Sequence, residues 1–152
     1  MQKIVTFLWF NTQAEEAMNH YCGIFKNAKP GHVSRQGPGG PVFTVEFEIE
    51  GQQFIGLNGG PQYQFTPAIS LFVNCENQAE VDDLWAKLGE GGSIQQCGWL
   101  QDKFGLSWQI IPTALMRLMK DPNPRKAGAV MQAMLKMKKI DIAGLQAAYD
   151  SA

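Results

Sequence analysis

The 152-residue sequence predicts an α+β fold: two βαβββ modules, then a helical extension. Three observations predict it. The words Leu8-Trp9-Phe10-Asn11 and Gln13-Ala14-Glu15 return as Leu71-Phe72-Val73-Asn74 and Gln78-Ala79-Glu80, which is an internal repeat. In each copy a short apolar run ends in a polar turn, a helical period follows, and alternating runs come after it. From Thr113 onward only helical spacing remains.

Ile4 to Phe10 is short and rich in β-branched and aromatic residues, so it reads as a buried strand. Thr12 with Glu15 has the form of a capping box, and Ala14, Ala17, Met18, Tyr21 and Phe25 fall on one helical face. Gly37 to Pro41 lacks the Lys-Ser/Thr of a phosphate loop and reads as a strand connection. Phe43, Val45, Phe47 and Ile49 alternate with Thr44, Glu46, Glu48 and Glu50; Gly51 turns the chain, Gln53 to Leu57 returns, and Asn58-Gly59-Gly60-Pro61 stops it.

The second copy repeats this plan. Ile69 to Val73 is its strand, Asn77 and Glu80 its cap, and Val81, Leu84, Trp85 and Leu88 its buried stripe, closed by Gly89 and Gly91-Gly92. Ile94 to Gln101 and Leu106 to Ile111 form a hairpin around Asp102-Lys103-Phe104-Gly105. In the tail, Thr113 caps a helix with Leu115, Leu118 and Met119 that Asp121-Pro122 ends. Asn123 caps the next helix, with Pro124 at its first position and an apolar stripe through Ala127, Val130, Met131, Met134, Leu135 and Met137. Lys136, Lys138 and Lys139 suit its last turn, and Asp141 starts a final helix with Ile142, Leu145 and Tyr149. The modules are thus 1–61 and 67–112, with a helical extension over 113–152. All belong to one structural domain whose strands form a concave mixed sheet around a cleft.

Composition narrows the function. Thirteen Lys+Arg against 14 Asp+Glu lacks the basic excess of nucleic-acid binders. No apolar run nears the roughly 18 residues of a membrane span, and Met1-Gln2-Lys3 leads straight into a strand, so neither a signal peptide nor a transmembrane helix is expected. Three cysteines without a CxxC point to a reducing, cytoplasmic setting.

The whole chain resembles the vicinal oxygen chelate superfamily of glyoxalases, extradiol dioxygenases and bleomycin-resistance proteins. The likeness is to its PhnB-like branch, often labelled 3-demethylubiquinone-9 3-methyltransferase domain proteins. It is carried by Phe7-Leu8-Trp9-Phe10-Asn11, Gln13-Ala14-Glu15-Glu16-Ala17 and Leu57-Asn58-Gly59-Gly60-Pro61. Cys97-Gly98-Trp99-Leu100-Gln101-Asp102, Phe104-Gly105-Leu106-Ser107-Trp108-Gln109 and the run from Met131 to Lys139 carry it further. The resemblance implies the glyoxalase/dihydroxybiphenyl dioxygenase-like architecture. In metal-dependent members, His, Glu or Gln ligands come from the first and last strands of each module. The matching positions here are Val5, Asn58, Ala68 and Gln109, and two side chains without donors plus two neutral amides make a poor cation site. His20 and His32 fall elsewhere. No metal and no cofactor is therefore expected.

The expected ligand-binding cleft comprises Trp9, Glu46, Asn58, Cys97, Trp99, Trp108 and Gln109, its three tryptophans forming an aromatic wall or packing into the core. Glu46, which shares a strand face with Glu48, is a candidate general acid or base, and Cys97 a candidate nucleophile without a histidine beside it in sequence. Four functions compete, the last of them a non-catalytic interaction module that works through the Met-rich tail. The first is metal-free binding of a small, partly aromatic or apolar molecule. The second is a metal-dependent lyase, dioxygenase or isomerase. The third, a methyltransferase, lacks the glycine-rich turn after its first strand. A homodimer is expected, because open sheet edges need cover and the Met-rich stripe exceeds what a short domain buries.

Overall fold

A computed structural model describes residues 2–152. Contacts divide the chain into two compact units, Met1–Phe65 and Thr66–Ala152. The first contains β1 (Thr6–Phe10), α1 (Ala14–Ile24), β2 (Ala28–Arg35), β3 (Val42–Ile49) and β4 (Gln52–Asn58), in the sheet order β1-β4-β3-β2. β1 runs parallel to β4, and the other pairs are antiparallel. Helix α1 buries Ala14, Ala17, Met18 and Tyr21, as their spacing predicts, and the sheet offers it Leu8, Phe10, Val45, Phe47, Ile49 and Phe54. The capping box does not form. The helix starts after Gln13 with no cap from that side chain, and the Ala14 N–H donates instead to Asn58 Oδ1 at 2.8 Å. A residue 44 positions away, at the end of β4, does the work expected of Thr12.

The second unit contains β5 (Ser70–Cys75), α2 (Gln78–Gly89), β6 (Ser93–Ile94), β7 (Trp99–Gln101) and β8 (Ser107–Pro112), in the order β5-β8-β7-β6. β5 and β8 are parallel, and the remaining pairs antiparallel. Both sheets are therefore four-stranded and mixed, with the same strand order within each repeat. Here the cap works from sequence: Asn77 Oδ1 accepts from the Glu80 N–H at 2.9 Å, and Glu80 Oε1 accepts from the Glu76 N–H at 2.8 Å. Val81, Leu84, Trp85 and Leu88 are buried as expected.

The expected strand Ile94 to Gln101 is broken in two. Cys97 and Gly98 take φ of 59° and 82°, and their N–H groups donate to the carbonyls of Met137 and Lys138, each at 2.8 Å. A β-carbon on Gly98 would stand 2.8 Å from Ile111 Cδ1 and 3.1 Å from Ile140 Cγ1, so glycine is required both for the left-handed turn and for the close packing.

The extension forms α3 (Thr113–Met119), α4 (Pro124–Leu135) and α5 (Ile142–Ser151). Thr113 is the first helical residue and not its cap, because Pro112 already occupies the flanking position in extended conformation. Asn123 caps α4 as expected, accepting from the Arg125 N–H at 3.0 Å. That helix ends at Leu135, so Lys138 and Lys139 lie beyond its last turn, where Lys139 pairs with Asp82 at 2.9 Å. Most of the apolar stripe folds back on its own unit. Val130, Ile140 and Leu145 are buried with Ile111, Leu115 and Leu118, and Met134 and Met137 pack against that cluster. Only Met131 and Leu135 of the stripe stay exposed, so the Met-rich tail is mainly a cover for the second unit. Gln78 fastens it with both ends of one amide, donating to the Ile140 carbonyl (3.0 Å) and accepting from the Ile142 N–H (2.8 Å). Among the described residues, no helix is long and apolar enough to cross a membrane.

Candidate functional site

Cross-strand register assigns each side chain of the first sheet to one of two faces, because directly paired residues share a face and successive residues alternate. Leu8, Gly56 and Val45 are paired and lie under α1: a β-carbon built on Gly56 meets Ala14 Cβ at 3.4 Å. The opposite face carries no helix and is made of three rows. Trp9, Leu57, Thr44 and Ser34 form the first; Phe7, Ile55 and Glu46 the second; Gln53, Glu48 and Lys29 the third. Across the first two rows the chemistry changes in one direction, and the third is polar throughout. The β1 and β4 columns supply Phe7, Trp9, Ile55 and Leu57, while β3 and β2 supply Thr44, Glu46, Glu48, Ser34 and Lys29. One end is apolar and the other carries charge and hydroxyls.

A depression of about 310 Å³ opens on this face, where Val5, Gln53 and Ile55 meet Glu46, Glu48, Lys29 and His32. That volume sits at the lower end of small-molecule sites. Lys29 Nζ lies 3.6 Å from Glu48 Oε2, so those two charges largely answer each other. Phe7 is 54% exposed and Glu46 is exposed, so both are available to a ligand. Trp9 is half-buried and held from the side: its Nε1–H donates to the Gly60 carbonyl at 3.0 Å, and Tyr63 meets its ring edge-on at 4.9 Å.

Within each unit the expected cleft residues fall on different faces of the sheet. Trp9 and Glu46 are together on the helix-free face of the first sheet. Asn58 is not on that face. It pairs with Phe10, one residue out of step with the Trp9 row, so it points to the α1 side. There both amide atoms are engaged, Oδ1 with the Ala14 N–H and Nδ2 with the Val42 carbonyl at 3.2 Å. In the second sheet, Gln109 pairs with Phe72 and Trp99, and all three are at least partly exposed on its helix-free face. Gln109 Nε2 donates to Ser70 Oγ at 3.0 Å.

Trp108 belongs to the core. It is 2% exposed, pairs with Leu100, and its Nε1–H donates to Asp102 Oδ2 at 2.9 Å, so it cannot wall a cleft. Asp102, itself 2% exposed, also accepts from the N–H groups of Phe104 (2.9 Å) and Leu106 (3.0 Å). Cys97 sits in the left-handed turn that receives the tail, which makes it a backbone anchor. The pocket residues that sequence reasoning missed include Lys29, His32, Gln53 and Ile55. The available signal for the first two was Pro30-Gly31 inside a strand, a pair that marks an edge or a bulge.

The donor set does not fit a divalent ion. Val5 and Ala68 carry no donor atom, the amide of Asn58 is fully engaged, and Ala68 precedes β5 altogether. Among the described residues no group of three His, Cys, Asp or Glu side chains is placed to hold a metal.

A family model described as 3-demethylubiquinone-9 3-methyltransferase matches residues 2–111, leaving the helices from Thr113 onward outside it. No curated protein matches the chain. Among solved structures, a putative 3-demethylubiquinone-9 3-methyltransferase, PhnB protein, from Bacillus cereus is 38% identical, with a TM-score of 0.68 over 73% of this chain and 99% of its own. Protein PA1353 from Pseudomonas aeruginosa is 21% identical, with a TM-score of 0.59 over 74% of this chain and 98% of its own. The fosfomycin resistance protein FosX from Listeria monocytogenes, solved with Mn(II) and sulfate, is 16% identical, with a TM-score of 0.50 over 71% of this chain and 90% of its own. These last two share the fold.

Proposed function

The chain belongs to the 3-demethylubiquinone-9 3-methyltransferase family, the PhnB-like branch with the glyoxalase/bleomycin-resistance fold. From that premise we propose that it binds a small, partly aromatic or apolar molecule, without a metal, on the helix-free face of its first unit. The observation that carries this reading is the gradient across that face. Apolar Val5 and Ile55 adjoin polar Glu46, Glu48, Lys29 and His32 around a depression of ligand size, and Phe7 stands beside Ile55 in the same row. The methyl transfer in the family's description has little support here. The turn after β1 is Asn11-Thr12-Gln13, without glycine, and both sheets are mixed. A metal-dependent reaction would need donors that Val5 and Ala68 do not have.

Titrating the full chain with naphthalene and 2-naphthol, followed by backbone amide shifts, tests the reading. Shifts should concentrate in Val5–Trp9, Lys29–Ser34, Thr44–Glu48 and Gln53–Leu57. Shifts confined to the second unit, or near-stoichiometric zinc, manganese, iron or nickel in the purified protein, would overturn it. The protein is also proposed to be a homodimer, because β1, β2, β5 and β6 each lie at the edge of a sheet and need cover. Light scattering at micromolar concentration decides, and a monomer refutes this part.

A further inference from the structure

His32 reaches the pocket through a defect in strand pairing. β2 and β3 stay in step from Ala28↔Ile49 to Pro30↔Phe47, lose it, and resume at Val33↔Val45. Between those pairs β2 has two residues, Gly31 and His32, and β3 has one, Glu46. A two-against-one bulge re-aims the side chains of the bulged strand. Here it closes tightly, since a β-carbon on Gly31 would stand 2.8 Å from the Glu46 carbonyl oxygen. The result is that His32 and Glu46 line the same depression. Their neighbours are already occupied, with Lys29 on Glu48 and the Ser34 hydroxyl on that of Thr44. Among the described residues Glu46 and His32 have no such partner in the protein.

The chemistry of the two groups limits what fits between them. An ionised carboxylate only accepts hydrogen bonds, whereas an imidazole can donate one. A hydroxyl serves both at once, donating to Glu46 and accepting from His32. A carboxylate on the ligand would meet the like charge of Glu46. An ammonium group can donate to Glu46 and to the unprotonated ring nitrogen of His32 but cannot accept the imidazole N–H, so it does not use the pair as a hydroxyl does, giving to one group and taking from the other.

We propose that Glu46 and His32 form a hydroxyl-reading pair and that the ligand is an alcohol or phenol whose apolar body lies on Ile55, Val5 and Phe7. This rests on the binding reading above and adds the identity of the polar group. The test compares four probes on the full chain by calorimetry and amide shifts: 2-naphthol, naphthalene, 2-naphthoate and 2-naphthylmethylamine. Two modest hydrogen bonds at an open site correspond to roughly a tenfold preference. 2-Naphthol should therefore bind about tenfold more tightly than naphthalene or 2-naphthoate, and an amine that bound as tightly as the naphthol would overturn the hydroxyl reading. Glu46→Ala and His32→Ala, both at exposed positions, should each reduce that preference to about threefold or less. Equal binding of all four probes on the face, or a naphthol preference that survives both substitutions, overturns the hydroxyl-reading pair and leaves the binding site standing. No probe on the face at all overturns the site itself.

Discussion

Asp102→Asn should be one of the more damaging single-atom changes available to this protein. The carboxylate is buried and accepts three hydrogen bonds, two on Oδ1 from the loop N–H groups of Phe104 and Leu106 and one on Oδ2 from the Trp108 indole. Asparagine keeps one acceptor oxygen. If it serves the two loop N–H groups, its NH₂ faces the indole N–H, donor against donor, and a buried donor is left unmet. That costs about 1–3 kcal/mol. Losing the charge assistance on the remaining bonds adds roughly 1 kcal/mol, for an expected loss of about 2–4 kcal/mol. Trp108→Phe removes the opposing donor, so the asparagine should cost about 1–2 kcal/mol less in that background. Urea unfolding of the four proteins of this cycle, followed by far-UV circular dichroism, gives both quantities. A single-variant loss below about 0.5 kcal/mol, or strictly additive effects, would refute the assignment of Asp102 as the hairpin's shared acceptor.

Three further outcomes follow from the same geometry. Asn58→Ala removes the cap of α1, so it should cost about 1–2 kcal/mol and speed amide exchange at the start of that helix, with the second unit unaffected. Gly98→Ala places a β-carbon at positive φ against Ile111 and Ile140; it should cost more than about 1 kcal/mol and raise exchange across residues 137–152, and unchanged exchange there would contradict the anchoring role. Burial, with Glu80 adding to it, pushes the Cys75 thiol from 9.0 up to about 12. The folded state therefore holds a proton that the unfolded chain has released between those values, and the stability this contributes is complete below pH 9 and lost on rising toward pH 12. Iodoacetamide at pH 9 should leave Cys75 unlabelled in the native protein, as read by mass spectrometry, and rapid native labelling would count against it.

What sequence reveals here depends on whether the signal is local. The stripes Ala14–Ala17–Met18–Tyr21 and Val81–Leu84–Trp85–Leu88 repeat with the helical period, and both are buried. The repeat itself foretells two sheets of one topology. Register is not local. Carrying the family's ligand positions over through the internal repeat made Asn58 the counterpart of Gln109, yet Gln109 pairs with Phe72 whereas Leu57, and not Asn58, pairs with the equivalent Trp9. A slip of one residue turns every side chain to the other face, so an expected site residue becomes a helix cap. His32 was hidden for a related reason, because a bulge exists only once two strands are paired and counted. Thr12 and Thr113 had suitable side chains at plausible positions, but a distant Asn and an adjacent Pro had already set those helix ends.

The words by which the chain resembles its family have mostly structural work in this protein. In Cys-Gly-Trp-Leu-Gln-Asp, the first two residues bind the tail's backbone and the last holds the hairpin. In Phe-Gly-Leu-Ser-Trp-Gln, the tryptophan fills the core and bonds to that same aspartate. In Leu-Asn-Gly-Gly-Pro, the asparagine caps α1 and the second glycine's carbonyl holds Trp9. Such words identify a scaffold, because altering them costs stability. The row Phe7, Ile55 and Glu46, extended by the His32 bulge, has the opposite property. Its outer members are exposed, and surface changes of that kind usually move stability by no more than about 0.5 kcal/mol. The family label thus follows from the part of the chain that folding constrains. In the binding reading proposed above, ligand choice lies with exposed side chains that folding leaves free, so it has to be read from the face of the sheet.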